Sequence, residues 1–186
     1  MRLDIAPGSP FARILRVLAR ERGPALTEVE TPLRDPSAPQ LAHNPAGRVP
    51  ALWDGEVLIA ETPLILAHLG WLPRDAAALS RLGQALALID GIAVWNRDLR
   101  RPEHERSPGF QALERTRCSR ILDALDLAAH DPFSVEGIAL ASALGYCERR
   151  HSVFHWRDGR DKLAAWYDAA INRPAFDETT PPLSGI

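Results

Sequence analysis

Arg2-Leu3-Asp4-Ile5-Ala6 alternates polar and apolar side chains, the two-residue repeat of a strand with one buried face, and Pro7-Gly8 ends it. The period then changes. Phe11, Ile14, Leu15 and Leu18 recur at helical spacing, with Arg13, Arg16 and Arg20 on the opposite side. Ser9-Pro10 opens this helix, because a serine oxygen accepts from a free N–H of the first turn and a proline there needs no donor. Gly23-Pro24 stops it, and Ala25 to Glu30 is predicted as a second strand. A proline-rich loop runs from Thr31 to Pro50. Beyond it, Ala51-Leu52-Trp53 and Glu56 to Ala60 flank Asp54-Gly55, a strong hairpin signal. Thr62 with Pro63 repeats the cap-and-proline device and starts a helix through Leu69. The predicted order is β-α-β, a loop, then β-β-α.

From Asp75 onward the two-residue repeat vanishes. Helical periodicity covers Asp75 to Leu99, Gly109 to Ala129, Val135 to Arg149 and Asp161 to Ile171, with turn-rich segments between. Gly70 to Arg74 is the expected linker, placing an α/β domain at 1–70 and an all-α domain at 75–186.

Composition narrows the function classes. An apolar fraction of 46% suffices for a buried core, and a net charge of -2 with both signs scattered gives no footprint for nucleic acid or an anionic membrane. The start, MRLDIAPGSPFAR, turns polar too early for a secretory signal, and runs such as ALALIDGIAVW are broken by Asp and Gly short of a bilayer span. Cys118 and Cys147 form no CxxC pair or metal cluster and fall in helical patterns, which points to packed, reduced thiols and a cytoplasmic address. No metal is expected.

Three segments carry a resemblance: SPFARILRVL at the first helix, NPAGRVPAL entering the third strand, and ETPLILAHL at the helix after the hairpin. In this order they resemble the glutathione S-transferases of a bacterial type with an N-terminal Ser-Pro-Phe motif. SVEGIALASALGYCERR and KLAAWYDAAINRPAFDETTP are similar to the helical half of the same proteins. The resemblance implies a thioredoxin-like N-terminal domain, an all-helical C-terminal domain, glutathione as cosubstrate and a small hydrophobic electrophile as partner. It also implies a homodimer through the family's third and fourth helices, which here are the helix opened by ETPLILAHL and the long helix after the linker.

The resemblance assigns roles residue by residue. Ser9 would donate a hydrogen bond to the glutathione sulfur, although as a residue type it is adequately explained as a helix cap. Val49, before a cis Pro50, would pair its backbone with the cysteinyl part like an added strand. Glu61 and Thr62 would hold the γ-glutamyl end, Thr62 standing where the family usually has Ser, and Arg48 would face the glycyl carboxylate. His43 has a similar but weaker standing, and Phe11 reads as half core. Trp95 and Leu99, four apart on the long helix, are expected to line the electrophile pocket. Ser134-Val135-Glu136-Gly137 lacks the acid that would complete a reciprocal cap, so a modest stability deficit is expected, relieved by Gly137→Asp. Other glutathione-dependent chemistry (dehalogenation, isomerisation, peroxide reduction) and a non-catalytic interaction module are the alternatives.

Overall fold

The computed structural model describes residues 1–32 and 35–183. Strand β1 (Arg2–Ile5), helix α1 (Pro10–Arg22) and strand β2 (Thr27–Glu30) form a crossover, so β1 and β2 run parallel. Strands β3 (Ala51–Asp54) and β4 (Val57–Ala60) form the expected hairpin, and β3 pairs antiparallel with β1. The sheet order is β2-β1-β3-β4, followed by α2 (Thr62–His68). This is the expected thioredoxin-like arrangement. Leu3 and Leu52, partners across β1 and β3, are fully buried. Asp4, next along β1 and opposite Ala51, is buried too, and is satisfied by Arg2 Nε and Trp53 Nε1, each donating at 3.0 Å.

The remainder is helical: α3 (Ala76–Leu99), α4 (Pro108–Asp123), α5 (Val135–Arg150), α6 (Asp161–Ile171) and α7 (Pro174–Asp177). The helix expected to run to Ala129 ends at Asp123. A short 3-10 turn, Leu127–Ala129, takes over, capped by the Asp126 side chain, which accepts from Ala128 N–H. Helix α3 is long and apolar enough to cross a membrane by length and composition, contrary to the sequence expectation. Its apolar side chains, among them Leu82, Leu88, Ile89, Ile92 and Trp95, instead join the core, where the helix packs on α4 and α5.

Helix α1 is buried on both sides. Ile14, Leu15 and Leu18 are fully enclosed, yet Arg13 and Arg16 on the other face are also buried. The arginine side is a second packing surface, covered by α5 and the C-terminal segment. Arg13 Nη2 donates to the Phe176 carbonyl at 3.0 Å, and Arg16 Nε to Glu28 at 2.8 Å. Burial lowers the Arg13 pKa to about 10.

Helix α5 is buried from Val135 to Cys147. Ser134 caps it: Oγ accepts from Gly137 N–H at 3.0 Å and donates to the Asp131 carbonyl at 2.7 Å. That carbonyl lies against Gly137 itself. A Cβ there would stand 2.0 Å from Asp131 O, so the expected gain from Gly137→Asp is overturned by backbone contact. Glycine is required because no side chain fits.

At the end of α5, His151 is fully buried with its ring 4.4 Å from Trp95, edge to face. Neither ring nitrogen has a hydrogen-bond partner among the described residues. Burial, aided by nearby Arg115, lowers its pKa to about 4. The unfolded chain takes up this proton near pH 6.5 while the folded one resists until about 4, so stability is lost as pH falls through that window. About 2 kcal/mol is expected to disappear between pH 7.5 and 5. Denaturant titrations at the two pH values check this, and His151→Phe should lose clearly less over the same interval.

Candidate functional site

A cleft of about 740 Å³ opens between the sheet domain and the helices, a volume typical of small-molecule sites. Ser9, Pro10 and Phe11 enter it from the start of α1, Arg48, Val49 and Pro50 from the loop before β3, and Glu61 and Thr62 from the start of α2. Asp90, Ala93, Asn96 and Arg97 from α3, Arg100 just past its end, and Tyr146 and Arg150 from α5 form the facing wall. The six residues predicted to bind or activate a ligand thus lie around one space. His43 does not; its ring sits edge-on to Trp53 at 5.4 Å, outside the cleft lining.

Ser9 has extended backbone, and its Oγ accepts from Ala12 N–H at 3.2 Å. The cap therefore uses an oxygen lone pair only. The hydroxyl proton meets no acceptor among the described residues, so it remains for a ligand in the cleft. No acidic residue stands in the first turn of α1, which leaves the partial positive charge of this helix end uncompensated by side chains.

The Val49-Pro50 bond is cis, as expected. Val49 N–H and C=O enter no hydrogen bond among the described residues, since pairing of β3 with β1 begins at Ala51. Upstream, buried Asn44 donates from Nδ2 to the Arg48 carbonyl at 2.8 Å and holds the loop. The Arg48 side chain is exposed and forms no ion pair among the described residues.

Glu61, at the start of α2, has φ 70 and ψ 126, a backbone conformation that non-glycine residues rarely adopt. Such strain costs on the order of 1–3 kcal/mol and is found where a backbone is held for a ligand. Its carboxylate is exposed and unpaired among the described residues. Thr62 differs from expectation: Glu61 is the cap residue, and the buried Thr62 is the first helical position. Its hydroxyl is turned to the Phe11 carbonyl at 3.5 Å, linking α2 to α1, and does not cap the helix.

The facing wall also differs. Trp95 is fully buried and packs on His151 and Phe154, and neither it nor Leu99 lines the cleft. The cleft stripe of α3 is Asp90, Ala93 and Arg97, continued by Arg100 just past its end, about 180° around the helix from Trp95. The sequence does carry that stripe, as Asp90, Arg97 and Arg100 at helical spacing beside an apolar run. Asn96 Nδ2 donates to the Tyr146 hydroxyl, joining α3 to α5 at the floor of this wall.

Neither cysteine can serve as a reactive group here. Both are buried; burial pushes the Cys118 thiol up to about 12 and the Cys147 thiol well above its ordinary value. Among the described residues no cluster of His, Cys, Asp or Glu is arranged to hold a metal.

Residues 3–77 match the family model of the glutathione S-transferase N-terminal domain. The chain is also similar to a glutathione S-transferase of Methylobacillus flagellatus KT solved with glutathione bound (30% identity, 97% and 98% of the two chains, TM-score 0.82). A glutathione transferase family member from Pseudomonas fluorescens Pf-5, also with bound glutathione, aligns at 29% identity over 98% and 99% of the chains with a TM-score of 0.86. The GST-like protein YibF of Escherichia coli K12 is 29% identical over 94% of this chain and 95% of its own.

Proposed function

The chain belongs to the glutathione S-transferase family, and from that premise we propose that it joins the thiolate of glutathione to a small electrophile in this cleft. The observation that carries the reading is the free hydroxyl proton of Ser9. A cysteine thiol titrates near about 8.5, and the thiolate alone attacks well. A hydrogen bond donated to the sulfur stabilises the anion selectively and lowers that pKa. Ser9 is then a donor, never the nucleophile.

The remaining residues orient the tripeptide. Val49 offers an unpaired N–H and C=O to the cysteinyl backbone. The Glu61 carboxylate meets the γ-glutamyl ammonium, the Thr62 N–H its carboxylate, and Arg48 the glycyl end. Residues 1–70 serve as the glutathione-binding unit and 75–186 as the unit that supplies the second wall. Leu64 on α2 and Leu79 on α3 are 60% and 40% exposed, and we assign them to the contact with a second copy. Two free buried thiols suit a reducing, cytoplasmic setting.

Calorimetric titration with glutathione, followed by turnover of a neutral aryl halide, tests the reading. Saturable binding below millimolar concentration and catalysed chloride release are expected. No binding at millimolar glutathione would return the chain to the non-catalytic alternative.

A further inference from the structure

The second substrate is the part of this reaction that the facing wall can define. Arg97, on the cleft stripe of α3, is exposed and enters no ion pair among the described residues. Arg150, in the last turn of α5, reaches over Gly8, the residue before Ser9. A Cβ on Gly8 would stand 2.6 Å from the guanidinium carbon, so the absence of a side chain there lets the arginine lie against the active end of α1. Its Nη1 donates to the Pro182 carbonyl at 3.0 Å, an acceptor that does not neutralise its charge. The same wall also presents Asn96 and Tyr146, joined by a hydrogen bond. The acid on this wall is Asp90, about two helical turns from Arg97; Glu30, Asp35 and Glu61 line the cleft from the other domain.

We propose that the electrophile is an anion: a compact apolar group carrying a carboxylate, with the apolar part against Phe11 and Ala93 and the carboxylate on Arg97 and Arg150. This rests on the conjugation reading above and replaces the purely hydrophobic partner expected from the sequence. Guanidinium groups bind carboxylates through paired N–H donors, and two arginines without an ion pair among the described residues draw an anion to their side of the cleft. In the reaction itself the sulfur lone pair attacks the activated carbon. The C–S bond forms, the bond to halogen breaks, and halide leaves with the bonding pair; the thiol proton has already passed to solvent.

A matched pair of aryl halides tests this, 4-chloro-3,5-dinitrobenzoate and its methyl ester, each catalysed rate divided by its uncatalysed rate with glutathione. Arg150 lies beside Ser9 and would also move the thiolate, so Arg97 carries the comparison. The acid is expected to be favoured over the ester by about tenfold at low ionic strength, less in added salt as the charges are screened. That ratio should fall to near one in Arg97→Gln and below one in Arg97→Glu, with circular dichroism confirming that both variants fold. Equal enhancement of acid and ester in the parent, or a ratio that Arg97→Glu does not change, overturns the anionic substrate. Catalysis of the ester in either case leaves the Ser9 chemistry standing, whereas no enhancement of either compound overturns both.

Discussion

Ser9→Ala is expected to lower kcat/KM for conjugation by roughly tenfold to a hundredfold, because a hydrogen bond to a charged group contributes about 1.5–3 kcal/mol. The same change removes the acceptor for Ala12 N–H, a cap whose loss costs about 1 kcal/mol and a few degrees of Tm. The two losses separate by pH. Without the donor, the thiol of bound glutathione should titrate about one to two units higher, so the rate keeps rising at pH values where the parent has levelled off. Loss of a cap moves no such profile. Ser9→Thr, which keeps a hydroxyl of the same hydrogen-bonding type, should retain both the cap and most of the rate. An unchanged pH–rate profile in Ser9→Ala, whatever the melting temperature, would remove Ser9 from the chemistry.

Gly137→Ala should be the most damaging small substitution in the helical half. Helix propensity alone predicts the opposite, since alanine is favoured over glycine in a helix by about 1 kcal/mol. The local geometry decides the sign. A Cβ at this position would lie 2.0 Å from Asp131 O, 2.9 Å from its carbonyl carbon and 3.0 Å from Pro132 Cα. The Asp131–Pro132 backbone cannot easily retreat, because Ser134 Oγ donates to Asp131 O and Arg173 Nη2 to Pro132 O, each at 2.7 Å. Displacing it combines overpacking with a weakened cap, for about 3 kcal/mol in total. In a chain of this size that is a fall of roughly 6–12 °C in Tm. Gly137→Asp should melt at least as low. A variant melting at or above the parent would mean that the loop yields and that the capping deficit read from the sequence was real.

Legibility in the sequence follows the range of the interaction concerned. Ser9-Pro10, Asp54-Gly55 and Ser134 act within three or four residues of themselves, so each element they punctuate lies where the pattern predicts. Arg48, Val49, Pro50, Glu61 and Thr62 sit at the same kind of punctuation, and the fold brings them with Ser9 to one cleft. What depended on a distant partner was not legible. The arginine side of α1 is buried because α5 and the C-terminal segment, both distant in sequence, cover it, with the Phe176 carbonyl accepting from Arg13. Trp95 faces the core and not the cleft, a distinction the sequence hides because an apolar helix packed on several neighbours gives little contrast between its faces. Gly137 reads as a missing acid until the neighbouring backbone is in place.

Burial of α1 on both faces also determines how the site holds its shape. Exchange of the amides from Ile14 to Leu18 requires both packing layers to open, so this segment belongs with the slowest-exchanging part of the molecule. Ser9 hangs from the first turn of that helix, whereas Arg48 and Val49 arrive on a loop. The Ser9 hydroxyl is therefore fixed before any ligand arrives, and adjustment to different ligand shapes falls to the loop side of the cleft.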